Sequence, residues 1–427
     1  MFAYSSNTSL IIMNFVTKKG KYQFLLALCG IIWIIFLMKI LQIDSQSYIF
    51  PDSDNYRESA RMWYFEHKVH YYRPLFMAII SGIPYLFGGD DASVYQFSFY
   101  MNVFSWIGTA ILLFSFVKKY VNNKTAFLLS LCYYTFFGIA LLNFHLLTEN
   151  IFTFLSLLSF FLIDQYNIKQ KFYYLSLAIC ILLLLILIKP SITFFSFFVL
   201  LYYSKTIWNN LKSPYIFFIL LGVFSLICQN ILMKKQFGNY TVSYIDGVTY
   251  YNYLGAKATA YKENISFDEA YNKRAHTMET LTFSQQKQYA LHDFLEQLTS
   301  NKSNLAKAYL SNIIDNTKSA SGSIIIYSNV NQNAYHNTVQ QIFIFLSKYQ
   351  NRFLTIAGFL LALYFTKKYY TTNTVYTLMA LYILYTIVVS GVSCTQGDRF
   401  HIVFFSITCL FIVKYLKEKH IFDKKLF

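Results

Sequence analysis

Long apolar runs separated by short polar segments dominate the chain and predict a bundle of membrane-spanning helices. Several runs are shorter than the roughly 20 residues of a full helical crossing, but ten are continuous enough to count as candidate spans. These runs lie at 22–43, 93–117, 125–142, 145–163, 172–189, 190–204, 214–233, 351–366, 373–391 and 400–416. The run 74–88 contains Gly82 and Pro84, and we expect a short or re-entrant helix there because protein can bury its broken backbone. The pattern therefore predicts an all-α, polytopic membrane bundle of about ten spans.

Short basic clusters between these runs indicate the orientation of the bundle. With the N-terminus inside, ten crossings place every short basic cluster on the inner face, as the positive-inside bias requires. The clusters consist of Lys18, Lys19 and Lys21; Lys118, Lys119 and Lys124; Lys169 and Lys171; Lys205 and Lys212; Lys367 and Lys368; and Lys414, Lys417, Lys419, Lys424 and Lys425. Counting 74–88 as a crossing would move the later clusters outside, so we prefer ten spans.

This threading divides the chain into three regions. Residues 1–233 form an N-terminal transmembrane region with a first outer loop at 44–73, and residues 351–427 form a C-terminal transmembrane region with a basic cytoplasmic tail. Between them, residues 234–350 form an outer-face insertion, since long loops are translocated largely regardless of charge. We expect a multi-pass protein of the cytoplasmic (inner) membrane of a bacterium, with its active site on the outer face.

The outer insertion is polar but carries helical patterns, so we expect a small, mostly helical subdomain. Helices are predicted at 267–280, 284–299 and 302–316, and Ser266 and Ser284 are suitable N-caps for the first two. The stretch SASGSIIIYSN at 319–329 indicates a turn followed by a short strand or extended segment.

Composition excludes a soluble nucleic-acid-binding protein in spite of the net charge of +16. Only 13% of the 427 residues are charged and 56% are hydrophobic, whereas a soluble domain carries about 25% charged residues. The positive charges lie in short clusters between apolar runs, which is typical of a membrane protein. The abundance of Phe and Tyr accompanies that of Lys, Asn and Ile, and we attribute it to nucleotide composition rather than to sugar binding.

Two acidic residues follow the first span in the stretch FPDSDNYRESARMWYFEHKVHYYRPLF, residues 50–76. Residues 54–66 are predicted to form an amphipathic helix on the membrane surface, with Asp54 or Ser53 as its N-cap. A carboxylate at the membrane edge can also serve as the general base toward an incoming hydroxyl. Asp52 and Asp54 are therefore both candidates for the catalytic carboxylate, and the sequence leaves the choice open.

Three cations interrupt or border apolar runs on the predicted outer face. Arg73 precedes Pro74, Lys189 ends the run ILLLLILIK, and Arg399 precedes the last span. An ionisable side chain at such a position is costly in free energy and is a functional candidate, although it can also simply extend to the lipid headgroups. If the three converge they form a clamp for a phosphate group, with Arg offering a bidentate fork.

The signals for a metal or a disulfide are weak. The six cysteines form no CxxC pair, and five of them lie inside apolar runs. His145 and Glu149 are four residues apart and share a helix face, so a divalent metal remains possible and no cofactor is certain. We interpret Glu149 as part of the polar wall of the active-site cavity. His70 is either part of that wall or a loop residue whose side chain is hydrogen-bonded within the protein.

These motifs, in this order, resemble the GT-C membrane glycosyltransferases. The resemblance is closest to the branch that uses polyprenyl-phosphate sugars, which includes protein mannosyltransferases and the aminoarabinose transferase that modifies lipid A. In that branch an Asp follows the first span, a Tyr comes four residues later, and an Arg/Lys-Pro motif opens a helix ending in Leu-Phe-Gly. The matching residues here are Asp52, Tyr56, Arg73-Pro74 and Leu86-Phe87-Gly88.

Three later stretches, LLTENIFTFL, IKPSITFF and GDRFHIVFF, resemble the family's embedded Glu, its basic-Pro corner and its final arginine corner. Two departures stand out, because Leu75 replaces a second proline that many members have and Asp54 adds a second acid.

The resemblance implies a helical bundle with interfacial helices over an outward-opening cavity, and an inverting sugar transfer. The donor is a polyprenyl-phosphate sugar, and the acceptor is a lipid, glycan or protein at the outer face. Asp52 (or Asp54) activates the acceptor, and the donor phosphate binds Arg73, Lys189 and Arg399. The residues implied for the cavity wall are Tyr56, His70, His145 and Glu149.

Two alternatives remain open on the sequence. A polysaccharide polymerase or ligase also acts at the outer face with arginines and a large outer loop. A non-enzymatic lipid-oligosaccharide transporter would show repeated halves and polar residues near mid-span, and neither is visible. The acidic loop directly after the first span favours the transferase.

Overall fold

The computed structural model describes residues 20–46, 50–325, 336–394 and 396–421. Every regular element within these ranges is a helix, so the prediction of an all-α fold is confirmed. Parts of the predicted basic clusters and of the extended segment lie outside the described residues, namely Lys18, Lys19, Lys424, Lys425 and 326–329.

Up to Phe237, the described residues form eleven α-helices joined by short turns. These are α1 (Lys21–Leu41), α2 (Pro51–Arg61), α3 (Leu75–Ser81), α4 (Asp91–Val117), α5 (Asn123–Leu131), α6 (Phe137–Leu141), α7 (Glu149–Lys169), α8 (Phe172–Ile186), α9 (Thr193–Tyr202), α10 (Ser204–Asn209) and α11 (Ile216–Phe237). A π-turn at Met62–Glu66 prolongs α2, and 3-10 turns lie at Ile83–Phe87, Cys132–Thr135, Leu142–Phe144 and Pro190–Ile192.

The polar segment that follows is a helical insertion, with six short to medium helices in its described part up to residue 325. These are α12 (Ile245–Thr249), α13 (Ala256–Glu263), α14 (Phe267–Glu279), α15 (Phe283–Ser300), α16 (Lys302–Lys318) and α17 (Gly322–Ile325), with a π-turn at Tyr250–Gly255. The chain ends with α18 (His336–Tyr369), α19 (Thr374–Ser390), 3-10 turns at Gly397–Phe400 and Ile402–Phe404, and α20 (Phe405–Glu418).

Among the residues that the structure describes, four helices are long and apolar enough to cross a membrane, namely α1, α4, α7 and α11. The bent pair Asn123–Thr135 and Phe137–Phe144 would be a fifth crossing if it counts as one span. Three further apolar helices are shorter, at Phe172–Ile186, Pro190–Tyr202 and Thr374–Ser390. These apolar helices are compatible with a membrane protein, but helix length and composition do not confirm ten spans.

The predicted span 125–142 is bent because its helix breaks at Phe136. The two halves meet at 65°, and the backbone of Phe136 is extended, with φ −80° and ψ 94°. Gln350 of α18 bridges the break, since its amide donates to the carbonyl of Thr135 (2.8 Å) and its oxygen accepts from the N–H of Phe137 (3.2 Å). A broken helix is tolerated in an apolar bundle only where protein satisfies its backbone in this way.

One continuous helix runs through the predicted boundary between the insertion and the last transmembrane region. Helix α18 has 34 residues and is therefore about 51 Å long at 1.5 Å per residue. Large apolar side chains on it are exposed from Ile342 to Leu363, so its apolar surface begins before the predicted span at 351–366.

The helical insertion has a small core of its own, held by a buried ion pair. Tyr251, Leu254, Met278 and Ala290 pack together in this core. Beside it, Arg274 of α14 makes a bidentate pair with Asp293 of α15 (3.0 and 2.6 Å).

Cap residues decide where the helices of the insertion begin. Ser266 caps α14 as predicted, because its hydroxyl accepts from the N–H of Glu269 (3.1 Å). Ser284 is not the cap of α15, which begins earlier. Thr282 is the cap and forms a capping box with Gln285, an arrangement that satisfies two free backbone N–H groups instead of one.

The predicted strand or extended segment after residue 319 is wrong for the described part, which is the short helix α17. Ser321 and Ser323 are fully buried on either side of Gly322. Their hydroxyls bond each other (2.8 Å), and Ser323 donates to the carbonyl of Gly138 (2.9 Å). Buried hydroxyls need such partners, and a tight turn of helix supplies them.

Candidate functional site

Helix α2 begins earlier than predicted, and this places both acids inside its first turn. Pro51 is the first helical residue, and Phe50 stands at the N-cap without a side-chain cap bond. Proline is favoured at this position because its φ is already helical and it lacks the N–H that would be left free. Neither Ser53 nor Asp54 caps the helix, so that prediction is wrong.

Five charged side chains from five distant segments meet in one network, which we call the charged cluster. Its members are Asp52, Arg73, Glu149, Lys189 and Arg399. Arg73 Nη2 lies 2.7 Å from Asp52 Oδ1, and Arg399 Nη1 lies 2.8 Å from Asp52 Oδ2. Arg399 Nε and Lys189 Nζ both donate to Glu149 Oε1, at 3.1 and 3.2 Å. The three cations therefore converge, as the phosphate-clamp interpretation required.

Each member of the charged cluster lies at the end of a helix or in a turn. Asp52 is in the first turn of α2, Arg73 directly precedes Pro74 and α3, and Glu149 is the first residue of α7. Lys189 precedes the 3-10 turn Pro190–Ile192, and Arg399 is inside the 3-10 turn Gly397–Phe400. Each proline disfavours a helical backbone at the residue before it, which leaves Arg73 and Lys189 at corners of the chain.

The charged cluster is buried and carries one net positive charge. Glu149 is 1% exposed, Arg73 and Arg399 are each 8% exposed, and the side chain of Asp52 is 29% exposed. Burial alone raises the pKa of Asp52, but Arg399 and Arg73 outweigh it and lower that pKa to about 2. With three cations and two carboxylates, the site has a positive charge left for an anion.

Aromatic rings lie against each of the three cations. The guanidinium of Arg73 lies 4.6 Å from the ring of Tyr56, and that of Arg399 lies 4.6 Å from the ring of Phe50. Lys189 lies 5.3 Å from the ring of Phe400. Tyr56 thus lies against the charged cluster, and the low polarity of these rings strengthens each charge interaction.

Asp54 lies away from the charged cluster. Its carboxylate accepts from the hydroxyl of Tyr95 (3.0 Å) and lies 3.5 Å from Arg57, and its side chain is 58% exposed. Two helix positions separate it from Asp52, so the two carboxylates point to different sides of α2. Arg73 and Arg399 contact Asp52 and not Asp54.

His70 shapes the backbone that carries Arg73. Its Nδ1 accepts from the N–H groups of Tyr72 (3.0 Å) and Arg73 (3.2 Å), and the residue is 1% exposed. Burial and the charge of Arg73 lower its pKa to about 4, so the ring is neutral at pH 7. His70 therefore acts as an internally bonded loop residue beside the site.

His145 is close to the site but is directed toward the helical insertion. Its Nε2 lies 3.1 Å from the carbonyl oxygen of Ser323, and its ring meets that of Phe50 edge-on at 5.6 Å. Glu149 instead binds Arg399 and Lys189, so the two side chains have different partners. Within the described ranges, no group of three or more His, Cys, Asp or Glu side chains is placed to hold a metal ion.

Sequence reasoning missed the residues that hold the corner of Arg399. Asn316 of α16 donates to the carbonyls of Ser390 (3.0 Å) and Ser393 (2.8 Å), and Asn312 donates to that of Gly391 (3.0 Å). No periodicity or motif marks these amides. They become visible only when α16 is packed against the end of α19.

Asp398 was also missed, although it stands next to Arg399 in the GDRF motif. It is 2% exposed and packs against Gly138, where an added Cβ would collide with its Oδ2. Burial is the largest effect on this carboxyl and raises its pKa to about 7, against the lowering effect of Ser321.

A small cavity of about 10 Å³ lies beside Lys189, enough for about one water molecule. Its walls are mostly apolar and come from α7, the Pro190 turn, α19 and the turns before α20; they include Phe152, Ile192, Tyr382, Tyr385, Thr386, Val389 and Phe400. A ligand larger than water needs these side chains, or those of the charged cluster, to move apart.

The sequence matches no protein-family model and no curated protein sequence. The likeness to the GT-C glycosyltransferases therefore rests on the motifs alone.

Proposed function

We propose that the protein is an integral-membrane glycosyltransferase. It moves a sugar from a polyprenyl-phosphate donor to a lipid, glycan or protein acceptor at the outer face of the cytoplasmic membrane. The observation that carries the proposal is the convergence of Arg73, Lys189 and Arg399 on Asp52 and Glu149 at the ends of apolar helices. A purely structural ion network needs no excess of cations, whereas a phosphate site does.

The charge of the cluster matches that of the proposed donor. A sugar linked to a lipid through one phosphate is a phosphodiester with a single negative charge, which the single positive charge of the cluster balances. During transfer the bond between the anomeric carbon and the phosphate oxygen breaks, and its electron pair stays on the phosphate. The acceptor oxygen bonds to the anomeric carbon and its proton passes to Asp52.

This proton transfer keeps the site in electrical balance. The phosphate gains one negative charge as it leaves, and the cluster gains one positive charge when Asp52 becomes neutral. Fixed cations next to a leaving anion lower the barrier because they need no reorganisation as the charge develops. Arg73, Lys189 and Arg399 are such cations, since turns and rings hold each of them in place.

Donor binding also explains how Asp52 can act as a base. With both arginines bound to it, a carboxyl with a pKa of about 2 holds a proton poorly. A phosphate that takes the N–H groups of Arg73 and Arg399 removes these stabilising contacts, and the pKa of Asp52 rises toward its ordinary value. A general base works best when its pKa lies near the operating pH, so the base is strengthened when the donor is present.

The ten-span arrangement with the N-terminus inside belongs to this proposal. Each of the ten apolar runs coincides with a helix or with the bent pair, although several are shorter than a full crossing. In that arrangement the residues of the charged cluster lie at the outer ends of the helices. Lysines such as Lys118, Lys169 and Lys368 lie at the opposite ends, as the positive-inside bias favours.

The test compares two arginines of the same loop. Purified protein is incubated with a panel of polyprenyl-phosphate-linked sugars, and released polyprenyl phosphate is measured by mass spectrometry. We expect release with at least one sugar, and a loss of at least about tenfold in the Arg73→Gln variant, since one charged hydrogen bond is worth about 1.5–3 kcal/mol. Arg57→Gln is the matched control, because Arg57 binds Asp91 outside the cluster (2.8 Å). No release with any donor, or equal loss in both variants, would contradict the proposal.

A further inference from the structure

The helical insertion is fastened to both segments that carry an arginine of the charged cluster. At its start, the hydroxyl of Ser243 donates to the carbonyl of Tyr72 (2.8 Å), which directly precedes Arg73. Further along the insertion, α16 packs against the turn Gly397–Phe400, which contains Arg399. The insertion therefore borders the charged cluster at two of its corners.

A π-turn of the insertion, Tyr250–Gly255, packs on the same helix α16. Three of its residues are buried in the core of the insertion, namely Tyr250, Tyr251 and Leu254. Tyr253 does not belong to that core. It is partly exposed, and its ring lies 5.8 Å from the ring of Tyr271. A π-turn is rare and is frequently found at a functional site, so we asked what Tyr253 can reach.

The hydroxyl of Tyr253 lies close enough to Asp52 and Arg399 for both charges to act on it. Burial is the largest effect and raises the pKa of Tyr253 to about 12; Asp52 raises this pKa further, and Arg399 lowers it. The hydroxyl therefore keeps its proton at pH 7. In the part of the chain that the structure describes, no hydrogen bond holds this hydroxyl, so it is available to a ligand.

The residue before Tyr253 also has bonding capacity left. Asn252 is 8% exposed, and among the described residues its Oδ1 has no hydrogen-bond partner. Buried polar atoms are normally paired. The π-turn thus holds two consecutive side chains whose polar atoms are unused.

The proposed function assigns Tyr253 to the acceptor and not to the donor. A polyprenyl-linked donor reaches the charged cluster from the bilayer, and its phosphate takes the cations. The insertion is polar and lies on the outer side in the proposed orientation. A group held between the insertion and Asp52 is therefore the one whose hydroxyl must meet the base.

We propose that the π-turn Tyr250–Gly255 forms the acceptor subsite, and that the acceptor is a sugar unit of a glycan. The C–H groups of a sugar ring pack against an aromatic ring, and its hydroxyls bond to the polar atoms of Tyr253 and Asn252. The reacting hydroxyl gives its proton to Asp52 as its oxygen bonds to the anomeric carbon of the donor. Tyr253 keeps its own proton and donates to another oxygen of the same sugar.

Other classes of acceptor fit this surface less well. A peptide that binds as an added strand needs the edge of a sheet, and within the described ranges every regular element is a helix. A lipid acceptor needs an apolar groove, whereas Tyr253 and Asn252 present polar atoms. The role of the sugar as acceptor rests on the proposed function, but its binding does not.

The first test measures saccharide binding without a donor. The full chain in nanodiscs is titrated with oligosaccharides of glucose, mannose, galactose and N-acetylglucosamine, and binding is followed by saturation-transfer NMR. We expect at least one to bind, with an affinity about tenfold lower in Tyr253→Ala, since the contact of an aromatic ring is worth roughly this factor. Tyr289→Ala is the matched control, because Tyr289 is an exposed tyrosine of the insertion that also pairs with a ring, that of Tyr251 (5.5 Å).

The second test adds a polyprenyl-phosphate sugar and measures transfer to the saccharide that binds. Tyr253→Phe keeps the ring and removes the hydroxyl. We expect this variant to raise the KM for the saccharide by about two- to tenfold, the factor for one hydrogen bond, and to leave the KM for the donor unchanged. An equal rise in both KM values would mean a general distortion of the site and would contradict the acceptor role.

The remaining outcomes separate the inference from the proposed reaction. No saccharide binding, or an equal loss of binding in Tyr253→Ala and Tyr289→Ala, would overturn the inference. Transfer to a peptide or a lipid but to no saccharide would overturn the class of acceptor. Saccharide binding that depends on Tyr253, without release of polyprenyl phosphate from any donor, would contradict the proposed reaction and support the saccharide site.

Discussion

Glu149 joins two cations of the charged cluster, since it binds both Lys189 and Arg399. An ionisable side chain at the edge of an apolar run is costly in free energy unless it is paired. This cost marks all three residues in the sequence. The sequence therefore marks side chains whose burial is costly, but it does not identify the residues with which they pair.

Other residues could not be assigned in this way. Asp52 and Asp54 have the same local surroundings in sequence, and only the start of α2 at Pro51 decides which one faces the cations. His145 binds a carbonyl of Ser323, which is distant in the chain. Such contacts depend on tertiary packing, which no local pattern records.

Asp398 predicts a pH dependence of stability. Its pKa is raised from 3.8 to about 7 in the folded chain, so the fold prefers the neutral carboxyl. The stability from this preference is fully present below pH 3.8 and is lost as the pH rises to about 7. About three pKa units correspond to a change on the order of 4 kcal/mol.

The Asp398→Asn variant tests this, because an amide does not titrate. Thermal unfolding in detergent should show that the variant gains stability relative to the native chain between pH 4 and pH 8. Parallel pH profiles for the two chains would mean that the carboxyl is not held neutral by burial.

At the scale of elements, the existence of helices was predictable and their ends were less so. Apolar runs predicted most of the helices, because burial in a bundle or in lipid favours the same composition. Their ends depend on details such as the capping box of Thr282 and Gln285, or the bend at Phe136. The residue at the bend, Phe136, is neither proline nor glycine, so the sequence does not predict the bend there. Gln350 stabilises it by supplying hydrogen bonds to the backbone.

Replacing Gln350 should therefore destabilise the bundle. Gln350→Leu removes both bonds and leaves the carbonyl of Thr135 and the N–H of Phe137 without them. Each lost hydrogen bond is worth about 0.5–1.5 kcal/mol, so the temperature of thermal unfolding should fall. Gln341→Leu is the control, since Gln341 is an exposed residue of the same helix. Equal effects of the two substitutions would show that the bend does not depend on this side chain.

At the scale of the whole molecule, the proposed orientation puts the insertion and the charged cluster on one side of the membrane and the short lysine clusters on the other. The short lysine clusters, such as Lys118 and Lys119, predict this orientation, because charge bias acts on short loops. How the insertion packs onto the bundle was not predictable, since Asn312 and Asn316 bind backbone atoms that carry no sequence information.

Cysteine labelling of intact cells tests the orientation. Gln288 and Lys124 are both exposed, and they lie on opposite sides of the membrane in the proposed arrangement. A membrane-impermeant maleimide should label Gln288→Cys in intact cells, and Lys124→Cys only after the cells are permeabilised. The reverse pattern would invert the orientation and place the charged cluster on the inner side.

The roles of the two acids of α2 are separated by one pair of isosteric variants. Asp52→Asn and Asp54→Asn are compared in the same sugar-transfer assay, at equal protein levels in the membrane and after both are checked for thermal unfolding. We expect Asp52→Asn to lose transfer by about 100-fold or more, the usual contribution of a positioned base. Of the two acids, only Asp52 contacts Arg73 and Arg399. We expect Asp54→Asn to retain transfer. Full activity of Asp52→Asn would contradict the assignment of the charged cluster as a catalytic site.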